Sequence, residues 1–147
     1  MLNYTYGTNG LKVDIPRIVN YIDKEIMKGD IAEAKLFNPD FIIANMHWGL
    51  EYERIPSREQ RELADWLLRQ GVDLVIGSHP HVVQPMELRR EGGGSDRLVV
   101  YSLGNFISNY EPGTYRWGCH GESRFRSEGV APIYYFRTIF VDLFFPL

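Results

Sequence analysis

The chain has 147 residues, 44% hydrophobic and 24% charged, which suits one soluble domain with a sizeable core. Its net charge is −3 with both signs interspersed, so no basic stripe invites nucleic acid. A single cysteine, Cys119, excludes an intrachain disulfide and a Cys-rich zinc site, and no apolar run is long enough to cross a bilayer. Met1 to Tyr6 lacks the basic and apolar regions of a secretory signal, so the compartment stays open.

Leu2 to Tyr6 alternates like a strand and enters a Gly7-Thr8-Asn9-Gly10 turn. Tyr4 and Tyr6 on that strand are expected to pack in the core. Arg17 to Asp23 reads as a short strand. Lys24 to about Phe37 reads as a helix with Ile26, Met27, Ile31, Ala34 and Leu36 as its apolar positions. Gly29-Asp30 interrupts that pattern, which allows either a bent helix or one starting at Asp30. Asn38-Pro39 ends it, and Asp40 to Met46 forms a buried strand that runs into His47-Trp48-Gly49.

A polar loop follows with Glu51, Glu53 and Arg54. Ser57 is then a good N-cap, and Gln60, three residues on, completes a capping box. Leu63, Trp66 and Leu67 share a helix face, and Gly71 stands where a C′ glycine ends the helix. Asp73 to Ile76 is a second buried strand, cut off at Gly77 and followed by Ser78-His79-Pro80-His81. Strand, helix and strand have the length of a right-handed parallel crossover. Gln84–Arg90 and Arg97–Ser102 read as strands joined by a hairpin through the glycine-rich 91–96. Tyr101 to Ile107 reads as a strand ending in a glycine turn. From about residue 114 no clear period holds, and 133–147 is crowded with aromatic residues, an aggregation hazard.

Chemistry concentrates in the histidines. Parallel α/β sheets hold ligands beyond the carboxyl ends of their strands. A parallel crossover would therefore bring His47 to the same sheet edge as His79 and His81. Neutral imidazole is a common ligand for zinc and similar divalent metals, and Pro80 fixes the backbone between two of the three. His120 falls in the aperiodic tail and is left outside this site. Glu51 reads either as a partner orienting a metal-bound imidazole or as a solvated loop carboxylate, the latter preferred. Asn105, after a glycine at a strand end, is expected to satisfy backbone groups. Trp48 and Trp66 are expected in the core, and Arg54 and Arg58 receive no role.

The ordered tracts 3–10, His47-Trp48-Gly49 with Glu51-Tyr52, Gly77-Ser78-His79-Pro80-His81 and Tyr101-Ser102-Leu103-Gly104-Asn105-Phe106 resemble the CapA-type bacterial capsule synthesis family. That family is associated with poly-γ-glutamate capsules and is similar in fold to calcineurin-like metallophosphoesterases. The resemblance implies an α/β metallophosphoesterase-like sandwich of which residues 1–113 are the carboxyl-terminal half, with an atypical tail at 114–147. It also implies two divalent ions (Mn, Zn or Fe) in a complete domain, His47 and His79 serving one and His81 the other. Such ions polarise a phosphoryl oxygen and activate water.

The family's upstream Asp, bridging Asp and Asn-His motifs have no match here, so this chain alone is expected to be inactive. Expected partners are an anionic polymer or phosphoester-like substrate and other capsule-synthesis components. Complete relatives of this kind often carry a membrane anchor and act outside the cytoplasm. A non-catalytic scaffold or polymer-binding subunit is the alternative, and a mononuclear zinc site using all three histidines is another. The tail also admits a shifted reading frame near residue 116, because permitted codons one base on can spell a family-like strand.

Overall fold

A computed structural model describes residues 1–90 and 96–105. The readings placed on 91–95 and 106–147, including the hairpin connection, His120, the aromatic stretch and the shifted frame, lie outside the described residues. The described elements run β1 (Leu2–Thr5), α1 (Lys24–Leu36), β2 (Ile43–His47), α2 (Arg58–Arg69), β3 (Leu74–Ser78), β4 (Met86–Arg89) and β5 (Arg97–Val100). They build an α/β unit around a five-stranded mixed sheet of order β1-β2-β3-β5-β4. β1, β2, β3 and β5 run parallel, and β4 returns antiparallel to β5 with Met86 opposite Val100 and Arg89 opposite Arg97.

Both helices cover one face of this sheet. Met27 and Ile31 of α1 and Leu63, Ala64, Leu67 and Leu68 of α2 pack with Tyr4, Ala44, Met46, Val75 and Val99. The strand members are alternate residues, as a pleated sheet with one buried face requires. Each fully buried side chain of leucine or methionine size contributes about 1.5–3 kcal/mol, so this layer is the main source of cohesion.

The helix ends follow their sequence signals. Ser57 and Gln60 form the capping box, and Gly71 takes φ +92 just past the C-cap Gln70. Asp23 caps α1 by accepting from the N–H groups of Glu25 and Ile26 at 2.9 and 3.1 Å. That cap starts α1 at Lys24, and Gly29-Asp30 neither delays nor divides it. Asp30 instead accepts the Tyr4 hydroxyl at 2.8 Å, tying α1 to β1.

Two strand expectations need correction. Arg17 to Asp23 forms no strand; a Thr5–Tyr21 bridge joins it to the sheet and Ile22 packs against the core. Arg17, Ile18, Asn20 and Tyr21 are exposed, so the segment has too little buried face to hold a further strand. Tyr101 to Asn105 is not a separate strand but the continuation of β5 into a turn, with a single Val83–Leu103 bridge.

The sheet's carboxyl edge is pinned by a close approach at Gly77. A β-carbon there would lie 1.8 Å from the Tyr101 carbonyl oxygen, so only glycine fits. Buried Trp48 donates its indole N–H to the same carbonyl at 2.9 Å. Thus the ends of β2, β3 and β5 are locked together at the edge where the histidines emerge.

Candidate metal centre

Register decides where the histidines go. In the parallel β2–β3 pair His47 stands opposite Ser78, so His47 and His79 leave neighbouring strands at one edge. Their ring centroids are 4.7 Å apart, and those of His79 and His81 are 5.9 Å apart. The three imidazoles therefore share one rim. His47 Nδ1 lies 3.4 Å from Ser78 Oγ.

The turn carrying His79 and His81 is backbone-strained. Both take left-handed φ values, +97 and +61, on either side of the buried Pro80. Such conformations cost non-glycine residues about 1–3 kcal/mol each and survive only where neighbours enforce them. Here Trp48 N–H donates to Ser78 O at 3.1 Å and Tyr52 N–H to Pro80 O at 2.7 Å. Those two bonds stitch the loop after β2 onto the loop after β3.

The stitching delivers Glu51 to the histidines. Ligand atoms of Glu51, His79 and His81 all lie within 4.8 Å of one another, and it is the group of this kind found among the described residues. Glu51 Oε1 is 4.0 Å from His81 Nε2. Ligands at about 2.1 Å in a tetrahedral site stand about 3.4 Å apart, so small side-chain movements would close these atoms on one ion. Two imidazoles and a carboxylate are a donor set suited to a divalent transition metal. His47 stands beside this group rather than within it.

Further contacts orient the donors. His81 Nδ1–H donates to Asn105 Oδ1 at 2.8 Å, which leaves the Nε2 lone pair facing Glu51. Tyr52 stacks on His81 at 5.8 Å between centroids. Tyr6 lies 4.6 Å from the His79 ring and stacks over His47 at 5.8 Å. Burial, and then the neighbouring His81, holds His47 below its ordinary pKa. His79 is lowered by burial first and by His47 and His81 next, against an opposing pull from Glu51. Both imidazoles are thereby kept neutral, the state that binds a metal.

Two residues at this rim, Asn105 and Tyr6, differ from their sequence expectations. Glu51 is an exposed loop carboxylate, and its position beside His79 and His81 also fits the other reading, a partner to a metal-bound imidazole. Among the described residues Asn105 meets an imidazole instead of backbone groups. Tyr6 is half-exposed over the histidines, whereas Tyr4 and Trp48 are buried in the core as expected.

Residues 2–110 match the bacterial capsule synthesis protein family PGA_cap. The chain belongs to that family. Capsule biosynthesis protein CapA of Bacillus anthracis is 38% identical over 84 residues, which cover 57% of this chain and 19% of that protein. PGA biosynthesis protein CapA of Bacillus subtilis (strain 168) is 39% identical over 85 residues, 58% of this chain and 21% of the relative. A probable polyglutamine synthesis accessory protein of Mycobacterium tuberculosis is 29% identical over 89 residues, 60% of this chain and 20% of its own length. This capsule synthesis family member thus spans about a fifth of the relatives it matches. Among its described residues no helix is long and apolar enough to cross a membrane.

Proposed function

We propose that the chain is the metal-bearing carboxyl-terminal part of a metallophosphoesterase-like domain that serves the synthesis or export of a capsular poly-γ-glutamate polymer. The observation that carries the reading is the convergence of Glu51, His79 and His81, with His47 beside them, at the carboxyl edge of a parallel sheet. Two relatives are named for capsule or PGA biosynthesis, which supplies the anionic polymer as substrate class. Capsule-synthesis components would be the partners.

Glu51, His79 and His81 would hold one divalent cation, and His47 would serve a second. A bound cation would supply Lewis acidity toward a phosphoryl or carbonyl oxygen of the substrate. The chain's own residues do the positioning. Asn105 fixes the His81 tautomer, Tyr6 covers one side of His47 and His79, and burial keeps those two rings unprotonated. With one carboxylate in the group, the chain is proposed to bind metal without turning over phosphoesters or γ-glutamyl polymer by itself.

Titration of the chain with Mn2+ and Zn2+, followed by metal analysis after desalting, tests this. Retention of metal that is lost on Glu51→Gln and on His79→Asn is the expected result. Retention unaffected by either substitution places the ion elsewhere and defeats the reading.

A further inference from the structure

Two side-chain amides near the site, those of Gln60 and Gln84, are deeply buried, each residue 2% exposed. Buried amides are costly unless each donor and acceptor is paired. Here they pair with each other and form a one-directional relay. Ser57 N–H donates to Gln60 Oε1 at 2.9 Å. Gln60 Nε2 donates to Gln84 Oε1 at 2.9 Å, and Gln84 Nε2 donates to the Glu53 carbonyl at 2.8 Å. Gly49 packs directly on the Gln60 amide, where a β-carbon would come within 2.6 Å of it.

The three anchored segments are those that assemble the centre. Ser57 and Gln60 begin α2, Gln84 lies three residues after His81, and Glu53 lies two residues after Glu51. The capping box alone requires only the Ser57–Gln60 exchange, so the Gln60–Gln84–Glu53 continuation is not explained by helix capping. Gln84 is further fixed by its own N–H, which donates to Ser102 O at 3.1 Å. We infer that Gln60 and Gln84 are positioning residues that clamp the Glu51 loop against the His79-Pro80-His81 turn. They set the separation between the carboxylate and the imidazoles without touching a ligand. The role toward a cation rests on the metal reading proposed above; the clamp itself does not.

The test uses Gln84→Met and Gln60→Met in the full chain, together with the Q60M/Q84M pair. Methionine keeps the buried volume and removes the amide. Replacing both partners avoids an orphaned amide inside the pair, and β3 amide protection reports whether the fold survives the lost bonds to Ser57 and Glu53. Amide hydrogen exchange of metal-free protein is the first readout. The Tyr52 N–H, bonded to Pro80 O, should lose protection about 10-fold or more in the paired variant while β3 amides keep theirs. Unchanged Tyr52 protection in that variant overturns the clamp.

Mn2+ affinity is the second readout. Each single variant should bind about 10-fold more weakly, the scale of loss when support behind a ligand is removed. Adding Gln84→Met to Glu51→Gln should cost nothing further, because the relay acts through Glu51. Additive losses would overturn the positioning role. If the unsubstituted chain binds no Mn2+ yet Tyr52 loosens as stated, the metal reading fails and the clamp stands.

Discussion

His47 and His79 carry a pH dependence whose sign follows from their surroundings. Both are held below the ordinary imidazole value of 6.5, chiefly by burial. The unfolded chain therefore binds protons that the folded chain refuses. Stability is fully present above the unfolded value of about 6.5, declines as pH falls through it, and levels off once the folded-state values are passed. Urea unfolding at pH 7.5 and pH 5.5 should show a lower midpoint at the acid end. His47→Gln should flatten the difference by removing one depressed group and one neighbour of the other. A midpoint that rises on acidification would contradict this account of the rim. Metal affinity should persist to lower pH than free imidazole allows, since fewer protons must be displaced.

At the scale of elements, the site depends on how tightly three strand ends are joined. Gly77→Ala would drive a methyl group into the Tyr101 carbonyl, 1.8 Å from the β-carbon position, and within 2.5 Å of the Trp48 indole nitrogen bonded to that carbonyl. Backbone cannot yield as a flexible side chain does, so the substitution should destabilise by upward of about 3 kcal/mol, at or beyond the usual overpacking range. Ser57→Ala should cost only about 1 kcal/mol, the ordinary value of an N-cap. Thermal or urea unfolding of the two variants gives the comparison, and equal losses would mean that the edge is looser than its geometry implies. This contrast also separates what was legible in the sequence from what was not. The capping box, the C′ glycine and the two apolar strands read at 40–46 and 73–76 are local signals, and the structure forms strands there at 43–47 and 74–78. Those elements alone bring His47 and His79 to one edge. Glu51 and Asn105 reach the histidines through loop bonds that join residues 28 and 24 positions apart, Tyr52 to Pro80 and Asn105 to His81. No local pattern encodes such closures. The segment 17–23 failed for the opposite reason: it is locally apolar, but of its residues Ile22 alone packs against the core and most of the rest are exposed.

For the whole molecule, a cation at Glu51, His79 and His81 would bridge the loop after β2 to the turn after β3, and so bear on global stability. Its ligands become a preformed set only when β2 and β3 pair, because His79 and His81 lie 28 and 30 residues after Glu51. Binding is therefore to the folded state, and the gain is RT ln(1 + [L]/Kd). With free Mn2+ or Zn2+ at 100 times its Kd the gain is about 2.7 kcal/mol. For a chain of this size that corresponds to a rise in Tm of roughly 5–11 °C. A chelator should return the melting curve to its starting position, and Glu51→Gln should abolish most of the rise while leaving the metal-free Tm close to that of the parent. The last point follows because Glu51 is a partly exposed carboxylate 4.0 Å from its nearest imidazole nitrogen, so little native stability is lost with its charge. Differential scanning calorimetry across a metal titration measures all three quantities. A melting temperature indifferent to both ions, or a rise that survives Glu51→Gln, would show that the convergence at this rim serves the fold and not a metal.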